Sequence, residues 1–311
     1  MKIFSIGCDI GGSHISSAAV NMNTGQIIEG TRAQEPIDSQ GAASDITAHW
    51  LRSIRQTLDK TGDGEFVGIG FAMPGPFDYA NGIAMFERVP KYQSLYGMNI
   101  GDIIRKGLAL EENLPVRFMN DATAFAVAEA WIGKTMDFRR SLAITLGTGF
   151  GSAFIDGSVP VLEGSGVPKL GCLWHLPFKD GMADDYFSTR WFVRVYSEKT
   201  GKQVHGAKEL ADMAMGGDSV ALAIFDEFGH NLAECLEPWI RNFDGEAIVA
   251  GGNISEAGTL WEPAMQKRLK DRQVSVPMLF SELKEDAAII GSARLMESGF
   301  WQKVQPLLPL M

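Results

Sequence analysis

Runs of apolar residues punctuated by glycine divide the chain into two stretches with the same grammar. Residues 3–8 are apolar and predict a buried strand, Gly11-Gly12 a tight turn, and residues 15–20 a second strand. Asn23-Thr24-Gly25 predicts another turn, into a third strand over 26–32, which completes a β-meander. Ile46, Trp50, Ile54 and Leu58 then recur every four residues, with Leu51 beside them, and predict a helix over 43–60. Residues 66–73 read as an apolar strand stopped by Pro74-Gly75-Pro76. A helix over 100–113, a strand over 116–119 and an alanine-rich helix over 121–132 follow.

The strand–turn–strand pattern then returns. Residues 141–146 predict a strand, Gly147-Thr148-Gly149-Phe150-Gly151 a glycine-rich turn, 152–155 the next strand, and Asp156-Gly157 a hairpin. A long helix over 219–240, a strand over 247–250 ending at Gly251-Gly252, and a closing helix over 286–298 complete the outline. The two copies lie roughly 135 residues apart, which predicts two related α/β halves with a ligand-binding cleft between them. The join is expected near Asn120. Residues 1–119, completed by 286–311, would form one domain, and 120–285 the other.

The 311 residues suit two domains of roughly 150 residues each. A net charge of −10 with no long basic run argues against nucleic-acid binding and reads as solubility. Cys8, Cys172 and Cys235 are odd in number and far apart, which argues against a disulfide framework and fits a reducing cytoplasm. The first apolar run is broken by Asp9 and lacks the core of a signal peptide. No apolar stretch reaches the ~18 residues of a membrane span, so a cytoplasmic protein is expected.

Four motifs carry candidate chemistry. In Asp9-Ile10-Gly11-Gly12-Ser13-His14, two glycines in a hairpin turn let backbone N–H groups approach phosphate oxygens. Ser13 adds a hydroxyl, and Asp9 at the strand end could hold Mg²⁺ through water; a plain hairpin is the competing reading. Residues 146–152 imitate a dinucleotide fingerprint in spacing, but a strand rather than a helix follows them, so that reading fails. A Walker P-loop is absent. Gly251-Gly252 after an apolar strand could give a nucleotide base a flat approach, or be an ordinary turn. Asn120-Asp121 stands where a strand meets a helix. Asp121 there is either a helix cap or a carboxylate placed to take a hydroxyl proton during phosphoryl transfer.

In this order the motifs resemble the ROK family of sugar kinases and repressors, within the actin–hexokinase–Hsp70 superfamily. The resemblance rests on Asp9 to His14, Pro74-Gly75-Pro76, Asn120-Asp121-Ala122, Leu146 to Gly151, and Ala250-Gly251-Gly252. It implies two actin-like, ribonuclease H-like α/β domains and an ATP- and Mg²⁺-dependent sugar kinase that is a cytoplasmic homodimer. Carried over by residue, Asp121 would be the general base and Asn120 a sugar ligand, with Gly75 lining the sugar pocket. Gly11, Gly12, Ser13, His14, Gly147, Thr148 and Gly149 would embrace the ATP phosphates, and Gly251 and Gly252 would flank adenosine.

The sequence also departs from the family. Where many members have Gly-Glu-x-Gly-His and a cysteine-rich zinc loop, this chain has Gly171-Cys172-Leu173-Trp174-His175 and no cysteine over 177–183. No zinc site is expected. His175 and Asp184, the latter in the place of a family glutamate, would be the remaining sugar contacts. The alternative is a non-catalytic sugar sensor, without a DNA-binding segment ahead of Asp9.

Overall fold

The structure, a computed structural model, describes residues 2–311. The chain forms two compact units: the segment up to Ile132 together with Glu285–Met311, and Gly133–Lys284.

In the first unit, β1 (Ile3–Ile10), β2 (His14–Asn21) and β3 (Ala33–Pro36) form the antiparallel meander. β4 (Glu65–Met73) pairs parallel with β1. After a small hairpin of β5 (Phe77–Asp78) and β6 (Ile83–Ala84), β7 (Val116–Asn120) pairs parallel with β4. The sheet order is β3-β2-β1-β4-β7. Helix α1 (Ala43–Thr61) lays Ile46, Trp50 and Ile54 against β2 and β3, as its four-residue spacing predicts. α2 (Ile100–Leu108) covers β7, and α3 (Asp121–Trp131) leads away from that strand.

The second unit repeats the plan. β8 (Arg140–Leu146), β9 (Phe150–Asp156) and β10 (Val159–Val161) form a meander. A β11–β12 hairpin follows (Pro177–Phe178, Gly181–Met182), and β13 (Ala247–Gly251) and β14 (Met278–Phe280) add in parallel. The order β10-β9-β8-β13-β14 matches the first sheet strand for strand. The helices are α4 (Ala183–Tyr186), α5 (Thr189–Thr200), α6 (Ala207–Met215), α7 (Ser219–Phe243) and α8 (Gly258–Asp271). Their core is aromatic, with Phe187, Trp191, Phe192, Phe225, Phe228 and Trp261 all fully buried.

The chain then returns to the first unit as α9 (Asp286–Ala293) and α10 (Ser298–Val304). α9 packs on β1, β4 and α3. A Cβ on Gly291 would fall 1.8 Å from the carbonyl oxygen of Ala124, so α9 and α3 touch backbone to backbone. This contact explains why residues 122–130 of α3 are alanine-rich and all buried: small side chains let the helix sit between α9 and the sheet. It also moves the division between the units. The join read near Asn120 falls after Ile132, because α3 packs with α9 in the first unit.

Three further expectations are corrected. The strand read over 26–32 makes only an isolated bridge at Ile27. Gly30 then turns the chain at φ 78°, and pairing resumes at Ala33. The helix read over 100–113 stops at Leu108, where Ala109 adopts φ 52°. The closing helix read over 286–298 breaks after Ala293, and Glu297 is extended. Among the described residues no helix is long and apolar enough to cross a membrane.

Candidate functional site

In the first unit the parallel strands β1, β4 and β7 end on one edge of the sheet. Asp9 pairs with Ala72, and Met73 with Asn120. The edge therefore carries Asp9, the Pro74-Gly75-Pro76 turn and Asn120-Asp121, three motifs far apart in sequence. Carboxyl ends of parallel strands are where α/β folds usually hold their ligands. The Gly75–Pro76 peptide is cis.

The helix cap is Asn120, not Asp121. The Asn120 side chain accepts the Thr123 N–H at 3.1 Å and donates from Nδ2 to Asp121 Oδ1 at 3.0 Å. Asp121 Oδ1 also accepts the N–H of Ala122 at 2.8 Å. Burial pushes the Asp121 carboxyl above its ordinary range, opposed by these hydrogen bonds and by the charge of Lys91. Asp9 is raised to about 7, first by burial and then by the negative charges of Asp121 and Glu285. Arg32, which pairs with Glu285 at 3.2 Å and with Asp286, pulls the other way.

The β1–β2 turn is closed by the Gly11 N–H donating to the His14 carbonyl at 3.0 Å. Ser13 is exposed, and its Oγ lies 3.2 Å from His14 Nδ1. Three residues that the sequence did not single out surround this edge. Tyr92, wholly buried, donates its hydroxyl to the Gly11 carbonyl. The Lys91 side chain lies on Gly12. Tyr79 donates to the Met73 carbonyl at 3.0 Å and accepts from Asn120 Nδ2 at 3.4 Å, beside Gly75.

In the second unit the Gly147–Gly149 turn joins β8 to β9. Its Gly147 carbonyl accepts both the N–H and the Oγ of Thr189, at 2.8 and 2.9 Å. Thr148 and Gly149 are exposed. Asp184 is already engaged here: Oδ1 accepts the Phe150 N–H at 2.7 Å, and Oδ2 pairs with Arg190 at 2.5 Å. His175 lies 3.7 Å from the Cys172 sulfur, and Trp174 is exposed. Burial raises the Cys172 thiol to about 11, so it stays protonated at neutral pH. Gly251 ends β13. Gly252 has φ 84° and sits where a Cβ would be 2.4 Å from the Leu146 carbonyl oxygen, so its glycine is required by packing whatever else it does.

Among the described residues no group of three or more His, Cys, Asp or Glu side chains is placed to hold a metal ion. Asp9 is the carboxylate that suits one. Its charge is opposed by Asp121 and Glu285, and a cation beside it would relieve that repulsion.

Residues 5–298 match the sequence profile of the ROK family. A glucokinase of Thermotoga maritima is 28% identical over 325 aligned positions, covering 95% of this chain and 98% of its own length. An N-acetyl-D-glucosamine kinase of Aliivibrio salmonicida is 28% identical, covering 87% of this chain and 90% of its own. Among solved structures, a ROK family glucokinase from Streptomyces griseus in complex with glucose and AMPPNP superposes with a TM-score of 0.74 at 22% identity. That match covers 94% of this chain and 98% of the other.

Proposed function

The chain belongs to the ROK family, and on that premise we propose that it is a sugar kinase, transferring the γ-phosphoryl group of ATP to a hydroxyl of a hexose or hexose derivative. The observation that carries this reading is the shared strand edge, where Asp121 stands beside Asn120, Gly75 and Asp9. Relatives named glucokinase and N-acetyl-D-glucosamine kinase support the substrate class.

Phosphoryl transfer needs positioning, charge neutralisation and a group to accept the hydroxyl proton. Asp121 is the proposed base, and a carboxyl raised by burial is better suited to take a proton near neutral pH. Asn120 orients it and offers its amide to a sugar hydroxyl, with Gly75 and Tyr79 alongside. Gly11, Gly12, Ser13 and His14 in the first unit, and Gly147, Thr148 and Gly149 in the second, are the proposed phosphate contacts. Gly251 and Gly252 are the proposed adenosine contacts. Mg²⁺, held by Asp9 through water, would neutralise phosphate charge.

The test is ATP turnover across a panel of hexoses and N-acetylhexosamines. Sugar-dependent ADP release is expected, and its absence with every sugar would sink the reading. A second reading, a sugar sensor that does not transfer phosphate, is favoured by one observation. Both Asp184 oxygens already have partners within the protein, which leaves fewer lone pairs for a sugar. Sugar binding by calorimetry without turnover would select it. The homodimer is likewise a proposal, tested by light scattering.

A further inference from the structure

Lys91 is exposed, yet the backbone that carries it is held in place by its neighbour. Tyr92 is fully buried against Trp50 and Phe86, its N–H donates to the Ser39 carbonyl at 2.7 Å, and its hydroxyl donates to Gly11. The loop is thus pinned to the β1–β2 turn, and Lys91 extends over it. A Cβ on Gly12 would lie 2.6 Å from Lys91 Nζ and 2.9 Å from Cε, so the ammonium occupies the space that the missing side chain leaves. Among the described residues Lys91 has no carboxylate within ion-pair distance. Its charge nevertheless acts on Asp121, whose carboxyl it favours in the ionised form. An unpaired ammonium lying on a glycine turn, with its charge felt by a nearby carboxylate, is a seat for a ligand's anionic oxygens.

We propose that Lys91 is a catalytic residue, its ammonium contacting the transferring phosphoryl group over Gly12. This rests on the kinase reading above. In the step, the bond between the γ-phosphorus and the β–γ bridging oxygen breaks. A bond from that phosphorus to the sugar oxygen forms, the sugar hydroxyl proton passes to Asp121, and ADP leaves. Lys91 stays protonated and stabilises the equatorial oxygens of the group in flight.

The experiment compares wild type with Lys91→Met and Lys91→Arg, each first checked for an unchanged melting midpoint. Calorimetry with Mg²⁺ reads binding of ADP and of an imido-bridged ATP analogue. Steady-state kinetics read turnover. In Lys91→Met the analogue is expected to lose about 10- to 100-fold in affinity while ADP is unchanged, the range of one charge-assisted hydrogen bond. Turnover should fall by at least as much with the sugar KM little altered, and Lys91→Arg should keep most of both. A Lys91→Met variant that retains the wild-type analogue-to-ADP ratio and turnover would overturn the assignment of Lys91 alone. A wild type that neither binds the analogue nor turns over with any sugar would overturn the kinase reading, and this inference with it.

Discussion

The side-chain amide of Asn120 donates to Oδ1 of Asp121 while its carbonyl oxygen caps α3, so the two neighbours divide two tasks that the sequence alone assigns ambiguously to Asp121. The division predicts opposite signatures. Asn120→Ala should cost about 1 kcal/mol of stability through the lost cap. Asp121→Asn should leave stability nearly unchanged, because the cap stays and a repulsion with Asp9 is removed. Its turnover should fall by about 10²–10⁴-fold, the range of a lost general base. Urea denaturation beside kinetics separates the two. An Asp121→Asn variant with wild-type turnover would remove Asp121 from the chemistry.

Asp9 makes stability depend on pH in a direction opposite to most carboxylates. Its folded pKa of about 7 lies above the unfolded one, so the native state binds the extra proton. The stability this proton confers is present below the unfolded pKa and is lost as pH rises through about 7. Asp9→Asn, which mimics the protonated acid, should therefore gain on wild type between about pH 4 and pH 7 and hold that gain above it, by a few kcal/mol at most. Melting midpoints of both proteins across that range are the measurement, and a flat difference would mean that Asp9 is not raised. Mg²⁺ with nucleotide should shrink the difference if the cation sits at Asp9.

What the sequence revealed depended on how locally each feature is determined. The strand ends bearing Asp9 and Asn120-Asp121 were legible, because an apolar run followed by glycine or a capping residue fixes both strand and boundary. The doubled fold was legible for the same reason. Lys91, Tyr79 and Tyr92 were not, since they lie between Pro76 and Met98 in a segment with little regular structure, placed by a buried tyrosine rather than by any periodicity. Helix α8 is not legible in the sequence, because Gly258 opens it and Pro263 lies inside it, two residues that locally argue against a helix. Asp184 is legible through its place in the family pattern, but its partners, Phe150 and Arg190, come together with it only in the folded chain.

Those partners make a prediction about Asp184. If its first task is to hold the β8–β9 turn, Asp184→Ala leaves the Phe150 N–H without its acceptor and should destabilise the protein by about 1–3 kcal/mol. It should also weaken nucleotide binding more than sugar binding. Calorimetry with ADP and with the preferred sugar decides the matter. Loss confined to the sugar would make Asp184 a sugar ligand instead.

Gly12 and Gly252 are glycines for different reasons, and alanine at each should fail differently. At Gly252 an added Cβ meets the Leu146 backbone at 2.4 Å in a residue already at φ 84°, and neither can yield cheaply. Gly252→Ala should lose about 2–4 kcal/mol, seen as a lowered urea midpoint. At Gly12 the atoms nearest an added Cβ belong to the outer part of the Lys91 side chain, which is exposed and can swing aside. Gly12→Ala should fold with nearly wild-type stability and yet lose much of its turnover, because the ammonium is displaced from the turn. A Gly12→Ala variant as unstable as Gly252→Ala would show that the β1–β2 turn, and not the position of Lys91, is what this glycine protects.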